Sequence, residues 1–457
     1  MYRIATANVL ILTLICLMPG SVASAEGLTA GAARVSIVPP FPTHMGGFGD
    51  RMETFKDAKD ELYARALALH DGERAVIIIG SDLMAIDGQL VQRAREEITK
   101  RTGVPASHIM ISCAHNHSAP SYYQKARKGI SELPLEDFLV EQFADAGISA
   151  FENCVPASAG FKYGEVTGAT RNRQQNNEDV LDTTVGVLRV EERETGSVIG
   201  LLYNFTGHPV ILGSKNLQLS GEFPGWASRT VEDVLGGVAV FTQGACGDIT
   251  VHRQGDPWSE IQRLGRLIAG EVIKTVEFIR PTEEFTVDAA STILSLQPKS
   301  IPPVVDSERA LANAEKAFED SVKADAPDQL QRQLRQQVDL HAANLRQGKM
   351  IADGTMEQRY SLDAEVQVMR VGELVLVAIP GELFVEYALE LRARIQQTYG
   401  FSTILVGYAN HYLGYIVTPR AMQTGGYEAA VARVGPDAGR EMVETAMGLL
   451  SSWERIK

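Results

Sequence analysis

The stretch RAVIIIGSDL, Arg74–Leu83, is an apolar run with the length of a strand, and ASHIMISCAHNH, residues 106–117, is a second one. Between them, Gln89–Thr102 has the apolar spacing of an amphipathic helix. Continuous apolar runs are typical of strands that are buried on both faces. The order strand, helix, strand predicts an α/β fold, with a parallel or mixed sheet covered by helices.

The rest of the chain contains further strand and helix patterns. It shows no internal sequence repeat and no low-complexity linker. Further strand patterns are TTVGVLRVEE, SVIGLLYNFTGH, GGVAVFTQGACGD, AEVQVMRVGELVLVAIPGELF and STILVGYAN. Helices are predicted around residues 226–235 and at 437–453. Residues 306–347 are polar and rich in Ala, Gln, Glu and Leu, which favours a helical hairpin on the surface over a substrate lid. We therefore predict mixed β-sheets covered by helices in one large catalytic domain, residues 26–457, with a surface helical insertion at about 306–347.

The first 25 residues have the pattern of a secretory signal. Arg3 precedes an apolar stretch from Val9 to Met18, and the segment ends on Ala23-Ser24-Ala25, an A-x-A cleavage site. A core of about ten apolar residues is too short to cross a bilayer as a helix. We expect a signal peptide over residues 1–25, a mature chain without a transmembrane segment, and export to the periplasm or secretion.

Composition and charge exclude several classes of protein. The chain is 45% hydrophobic and 22% charged, as in ordinary globular proteins. Its formal net charge of −14 argues against nucleic acid as a partner, because binding to phosphates needs a basic surface. The three cysteines after the signal are too few for a disulfide scaffold. The sequence leaves the oligomeric state open.

Two histidines, His115 and His117, stand at the end of the second apolar run. Residues i and i+2 of a strand point to the same face, so the two imidazoles should project together. At the end of an interior strand they would reach the sheet edge where α/β proteins bind ligands. The alternative is a pair of polar residues that are satisfied within a loop.

Other predicted strand ends carry groups that can bind a metal. NFTGHP contains His208, AIPGEL contains Glu382, and NHYLGYIVT presents Tyr412 and Tyr415. Zinc accepts imidazole nitrogens and carboxylate oxygens, and a catalytic zinc site keeps one position for water. Taken singly, His208 is also consistent with a turn residue and Glu382 with a helix cap. Four such strand ends together indicate a metal site.

The chain resembles the catalytic domain of the neutral/alkaline ceramidases, which are secreted or lumenal zinc amidases. The resemblance covers nearly all of the mature sequence and depends on the order and approximate spacing of ten stretches. They are MGGFGDR, ELYARALAL, CAHNHSAP, TRNRQ, VGVLRV, NFTGHP, LSGEFPGWA, GDIT, PGELF and YIVT followed by GGYEAA.

The resemblance implies one Zn²⁺ per chain and assigns its ligands, which are His115, His208, Glu382 and Tyr415. It also implies a zinc-dependent amidohydrolase that cuts the amide bond of a ceramide-like N-acyl lipid, or of a related N-acyl compound, through a metal-activated water. Zinc lowers the pKa of bound water to about 7 and polarises a carbonyl group.

The same resemblance gives roles to residues beside the metal. His117 would handle protons or bind the substrate without binding zinc, and an imidazole titrates near neutral pH. Tyr427 would donate a hydrogen bond to the developing oxyanion. Arg173 would help to orient the same region.

The sequence departs from the family pattern in two places. The family's GDVSPN segment is GDITVH here, so Thr250 stands in place of a serine, and we interpret it as a substrate-positioning residue. The sequence also ends soon after GGYEAA, without the β-sandwich domain of the longer ceramidases. These departures favour a smaller or more soluble substrate as much as ceramide. The alternatives are an ester or lactone hydrolase with the same zinc site, or an inactive lipid-binding relative.

Overall fold

The computed structural model describes residues 27–49, 51–121, 133–174, 177–356 and 360–453, so the predicted signal peptide lies outside the described residues. The strands are β1 Thr29–Ser36, β2 Asp57–Ala58, β3 Tyr63–His70, β4 Ala75–Ser81, β5 Ile109–Cys113, β6 Val155–Glu165, β7 Thr170–Asn172, β8 Thr184–Glu192, β9 Val198–Phe205, β10 Gln218–Leu219, β11 Val238–Gln243, β12 Ile249–Val251, β13 Val287–Leu296, β14 Leu362–Val371, β15 Leu374–Ala378, β16 Glu382–Leu383, β17 Ser402–Val406 and β18 Tyr415–Ile416. The helices are α1 Gly88–Thr102, α2 Leu133–Glu152, α3 Glu222–Leu235, α4 Pro257–Val276, α5 Val304–Lys323, α6 Asp328–Ala352, α7 Val385–Tyr399, α8 Pro419–Thr424, α9 Tyr427–Val431 and α10 Ala438–Leu449.

Two mixed sheets form the centre of the described structure. The larger has the strand order β11-β9-β8-β6-β1-β3-β4-β5, and the smaller has the order β13-β14-β15-β17. The pairs β4 with β5, β9 with β11, and β15 with β17 are parallel, while the other pairs of the two sheets are antiparallel. The predicted α/β class with mixed sheets is therefore confirmed.

The two sheets pack face to face, which explains the apolar run of β4. Ile77 and Ile79 point to one side, where they share a core with residues of α1 and α2. Ile78 points to the other side and packs with Met369 and Leu376 of the smaller sheet. Every residue of β4 is buried. A strand covered on both faces has no polar side to show, and its sequence does not alternate.

Helices cover the outer faces of both sheets. Residues of α3 and α4 share a core with β8, β9 and β11 of the larger sheet. Residues of α7 and α10 share another with β14 and β15 of the smaller sheet. The order across the molecule is helices, sheet, sheet, helices. No helix in the described ranges is both long enough and apolar enough to cross a membrane.

The polar region predicted as a helical hairpin lies in α5 and α6, which pack against each other. Helix α6 also contacts α8 and α9. Leu340 and Ala343 of α6 form a small apolar cluster with Ala429 and Ala430 of α9. The hairpin thus supports a short helix that begins at Tyr427, one of the predicted site residues.

Candidate metal centre

A turn after β5, rather than the strand itself, brings His115 and His117 together. Strand β5 ends at Cys113, and His115 has a φ of 61°, in the left-handed region that non-glycine residues seldom adopt. The reason given from strand alternation was therefore wrong. The rings nevertheless converge, with centroids 4.8 Å apart and the two Nε2 atoms 3.2 Å apart. Asn116 fixes the turn by donating to the carbonyls of Asp82 and Ser220.

Three buried side chains from distant parts of the sequence meet at this turn. The Nε2 atoms of His115 and His208 lie 3.4 Å and 3.2 Å from Oε2 of Glu382. His208 follows β9, and Glu382 begins β16. All three side chains are almost fully buried. The ring nitrogens of His115, His117 and His208 that face one another lie within 4.8 Å.

The second polar atom of each of these three side chains has a partner in the protein. Nδ1 of His115 lies 3.1 Å from the carbonyl oxygen of Met84, and Nδ1 of His208 lies 2.7 Å from that of Cys246. Since a carbonyl only accepts, each Nδ1 carries a proton, and in the neutral ring each Nε2 then presents a lone pair. The hydroxyl of Tyr412 donates to Oε1 of Glu382 at 2.5 Å. Outer contacts of this kind orient metal ligands.

The remaining atoms fit a cation. Nε2 of His208 and Oε2 of Glu382 are buried without a hydrogen-bond partner. Both present lone pairs at 3.2 Å from each other, which is unfavourable unless a positive charge lies between them. Two imidazole nitrogens and a carboxylate oxygen are donors that zinc accepts.

The electrostatics of the centre keep the ligand atoms in their metal-binding forms. Burial by itself would raise the pKa of Glu382, but positive charge at the facing sides of His115 and His208 holds it well below the usual value. When these imidazoles are neutral, a cation between them would supply that charge. Burial lowers the pKa of His208 to about 4, with a further contribution from Arg173. Burial and the neighbouring histidines also lower the pKa of His117. At neutral pH the carboxylate is therefore ionised and these two imidazoles are neutral.

The glycine-rich loop MGGFG closes over His117. A Cβ atom on Gly47 would lie 2.1 Å from Nδ1 of His117, and the φ of Gly47 is 95°. Only glycine fits such an approach. The ring of Phe48 meets that of His117 edge-on at 5.1 Å, and Arg51 donates to the His117 carbonyl. The loop holds this imidazole at the mouth of the centre.

Tyr415, Arg173 and Tyr427 form a wall beside Glu382. Tyr415 pairs with Glu382 in the ladder between β18 and β16. Its ring lies 5.8 Å from that of Tyr427 and 6.0 Å from the guanidinium carbon of Arg173. Arg173 also forms a 3.0 Å ion pair with Glu428. Tyr427 is 63% exposed, so it stands at the rim.

Thr250 is buried, and its backbone forms a bridge with His208. The neighbouring Asp248 has a structural role, since Val385 N–H and the Asn172 side chain donate to it. Burial raises the pKa of Asp248 to about 7.

The two cysteines near the centre are buried thiols with structural contacts. Cys113 and Cys246 are buried and free, and Sγ of Cys246 lies 3.0 Å from the hydroxyl of Tyr408. Burial raises the pKa of Cys113 to about 12. Such a thiol is a poor source of thiolate.

Of the residues predicted from the sequence, the structure brings His115, His117, His208 and Glu382 into one cluster, and Thr250 forms a backbone bridge with His208. Tyr415, Arg173 and Tyr427 form the adjoining wall. Sequence reasoning did not assign a role to Tyr412, which holds the carboxylate of Glu382, although NHYLGYIVT presented it beside Tyr415. It also did not foresee the roles of Asn116 and Met84, which depend on loop contacts.

The chain belongs to the neutral/alkaline non-lysosomal ceramidase family. The model of that family's N-terminal domain matches residues 30–260 and 312–442. Among solved structures, a neutral ceramidase from Pseudomonas aeruginosa superposes with a TM-score of 0.76 at 17% identity, covering 95% of this chain and 76% of that one. A second structure, a ceramidase complexed with C2, gives a TM-score of 0.73 at 16% identity over the same shares of the two chains. This likeness establishes the ceramidase fold.

Curated relatives carry the same family name. The neutral ceramidase of Mycobacterium tuberculosis is 21% identical over 462 residues, which covers 86% of this chain and 71% of that protein. Neutral ceramidase B of Dictyostelium discoideum is 22% identical over 427 residues, covering 72% of this chain and 58% of that protein.

Proposed function

We propose that this protein is a zinc-dependent amidohydrolase that cuts the amide bond of a ceramide-like N-acyl lipid or a related N-acyl compound. The observation that carries the proposal is the pair of buried acceptors on His208 and Glu382, which face each other at 3.2 Å without a hydrogen-bond partner. Membership in the neutral ceramidase family supports an N-acyl lipid as the substrate class.

The proposed ligands of one zinc ion are His115, His208, Glu382 and Tyr415. Tyr412 keeps Oε1 of Glu382 occupied, so that Oε2 faces the ion. When bound, zinc would lower the pKa of a water molecule and polarise the substrate carbonyl. The carbonyl contacts on the histidine Nδ1 atoms hold both rings in the orientation that this requires.

His117 is the proposed proton carrier. Its Nε2 lies at the centre, 3.2 Å from that of His115, and its ring is held by the MGGFG loop. A neutral imidazole can accept a proton from the attacking water and deliver it to the departing amine nitrogen. Such transfers typically accelerate a reaction by about 10²- to 10⁴-fold.

Tyr427, Arg173 and Thr250 are the residues proposed to act on the substrate. The Tyr427 hydroxyl donates to the carbonyl oxygen as negative charge develops on it. Arg173, held by Glu428, orients this region, and Thr250 positions the substrate near His208. We also propose export to the periplasm or secretion, on the pattern of residues 1–25.

The test is metal analysis of the purified protein together with hydrolysis of a fluorogenic N-acyl sphingosine, before and after chelation. We expect about one zinc per chain, loss of hydrolysis on chelation and recovery on adding zinc back. A panel of shorter N-acyl amides and matched esters then defines the bond that is cut. His70→Ala is a suitable control variant, because its ring only accepts from Gly72 N–H at the surface.

Two outcomes would contradict the proposal. A folded protein without stoichiometric metal would favour a lipid-binding relative without turnover. Faster hydrolysis of the esters, with no cleavage of any amide in the panel, would favour an ester or lactone hydrolase that uses the same site.

A further inference from the structure

Glu222, in the stretch LSGEFPGWA, is a buried carboxylate that the proposed mechanism does not use. It is the first residue of α3, has no exposed surface, and has a φ of 47°. A non-glycine residue keeps a left-handed conformation only where its surroundings impose it. This raises the question of what the position provides.

Capping of α3 does not explain Glu222, because its carboxylate bonds to residues outside the helix. At the start of the helix, the Ser220 hydroxyl accepts from Glu222 N–H at 3.0 Å, and Asp60 accepts from Gly221 N–H and from the Ser220 hydroxyl, each at 2.8 Å. The carboxylate of Glu222 points away from its own helix, toward two loops of the metal centre.

The carboxylate accepts hydrogen bonds from both of these loops. Its Oε1 accepts from the hydroxyl of Ser118 at 3.1 Å, and Ser118 directly follows His117. Its Oε2 accepts from Ile211 N–H at 2.9 Å, three residues after His208. Leu212 N–H also approaches Oε1, at 3.4 Å. One side chain therefore joins the segment of His115 and His117 to the segment of His208.

Backbone hydrogen bonds also join these three segments, but few of them connect the loop of His117 with the loop of His208. Ser220 N–H donates to the Ser118 carbonyl at 3.0 Å, and His117 N–H donates to the Pro209 carbonyl at 3.2 Å. Glu222 adds bonds to both loops from a single buried point. Buried hydrogen-bond networks of this kind are rigid when every member is satisfied.

We propose that Glu222 is a positioning residue, which fixes the loop of His115 and His117 relative to the loop of His208 and so sets the geometry of the metal centre. The inference rests on the proposed function, because it supposes that this centre binds zinc. Loss of the carboxylate would leave both histidines in the chain but allow their Nε2 atoms to move apart.

The experiment measures zinc affinity by competition with a chelator and the visible absorption of the cobalt(II)-substituted protein, neither of which requires turnover. Glu222→Ala removes all three hydrogen bonds. We expect zinc affinity to fall by about 10- to 100-fold, as for other residues that orient metal ligands, and the cobalt bands to shift. In Glu222→Gln, the amide oxygen can accept from Ile211 and the amide nitrogen can donate to Ser118, so affinity should stay close to that of the wild type.

Matched variants separate positioning from general destabilisation. Glu365→Ala removes another largely buried carboxylate, which pairs with Arg95 at 2.8 Å, and should lower the melting temperature without changing zinc affinity or the cobalt bands. Ser118→Ala removes the bond to Oε1 of Glu222 and a 3.3 Å bond from the Asn216 side chain, but leaves the bonds from Ile211 and Leu212 to Glu222 in place. It should therefore weaken zinc binding less than Glu222→Ala does. If Glu222→Ala does not fold, Ser118→Ala decides, and its unchanged affinity would overturn the inference.

The outcomes also distinguish this inference from the proposed function. Wild-type affinity and an unchanged cobalt spectrum in a folded Glu222→Ala protein would overturn the positioning role alone. A wild-type protein that binds neither zinc nor cobalt would overturn the proposed function and this inference together.

Discussion

The floor of the site and its rim are built in different ways. At the floor, His115, His208 and Glu382 are almost completely buried, and the second polar atom of each is fixed by a carbonyl group or by Tyr412. At the rim, Tyr427 is 63% exposed and starts a helix of only five residues. The floor, which is His115, His208 and Glu382, is fixed by buried hydrogen bonds. It can therefore keep its geometry when residues at the rim, around Tyr427, move or are substituted.

The rim is held by contacts from the helical hairpin and from the segment that precedes it. Gln337 of α6 donates to the carbonyls of Gln423 and Thr424, just before the two glycines that precede Tyr427. The Lys299 ammonium group donates to the Ala429 carbonyl in α9. The structure thus separates the candidate metal ligands, which lie at or just after strand ends, from the contacts that we propose for substrate selection.

The sharpest test of this division uses the two histidines of one turn. His115→Ala should lose the metal and all turnover, because it removes a floor donor. His117→Ala should keep the metal, while turnover falls by about 10²- to 10⁴-fold, since it removes the proposed proton carrier. Zinc content and the rate of N-acyl hydrolysis are measured on both variants.

The division would fail if both variants lost the metal to the same degree. His117 would then be a zinc ligand, as its Nε2 lies within 4.8 Å of the ligand atoms of the other two histidines. His70→Ala serves as the histidine control and should match the wild type in both measurements.

The sequence placed His115, His208 and Glu382 among the candidate metal ligands through their chemistry and their order along the chain, and the structure brings these side chains together. The apolar runs of β4 and β5 indicate a sheet covered on both faces, and the histidines that follow β5 and β9 are of a residue type that can bind a metal. The turn at His115 was not predictable, since a positive φ in a non-glycine residue leaves no pattern in the sequence. Tyr412 donates to the Glu382 carboxylate, whereas Tyr415 pairs with Glu382 in the strand ladder. This difference depends on a contact between β16 and the loop before β18, which only the fold reveals.

Glu222 illustrates the same limit. LSGEFPGWA is one of the stretches that carry the resemblance to the family. No sequence pattern, however, predicts that its Glu222 contacts Ser118 and Ile211. The three segments meet only after the two sheets and α3 are in place. Positioning contacts of this kind come from tertiary structure, whereas donor types come from the sequence.

Two tyrosines provide the next test, with opposite expected effects. Tyr427→Phe, at the rim, should leave zinc affinity unchanged and lower kcat by about 100-fold, the effect of removing one oxyanion donor. Tyr412→Phe, at the floor, should weaken zinc binding by about 10- to 100-fold, because Glu382 loses the hydroxyl that orients it. Chelator competition and kcat at saturating zinc separate the two effects. A weaker metal site in Tyr427→Phe would show that rim and floor are not independent.

The smallest expected effect concerns the stability of the floor in the metal-free protein. Burial raises the pKa of Asp248 to about 7 from an ordinary value of 3.8, so the folded state binds this proton more tightly than the unfolded state does. Its contribution to the free energy of unfolding is therefore fullest below pH 4 and is lost as the pH rises toward 7, with a slope on the order of 1 kcal/mol per pH unit. Asp248→Asn cannot ionise at this position. The free energy of unfolding of the wild type minus that of the variant should therefore decrease as the pH rises from 5 to 7.5.

Denaturant unfolding with a chelator present, at several pH values, measures this difference. Asp256→Asn provides the control, because Asp256 is an exposed cap of α4 whose pKa is lowered by bonds from Ser259. A group with a lowered pKa is ionised in both states above pH 5, so this variant should give a constant difference across the range. If the difference for Asp248→Asn is also constant, the pKa of Asp248 is not raised in the folded state. The ionised carboxylate would then be tolerated in the interior, where Val385 N–H and the Asn172 side chain donate to it.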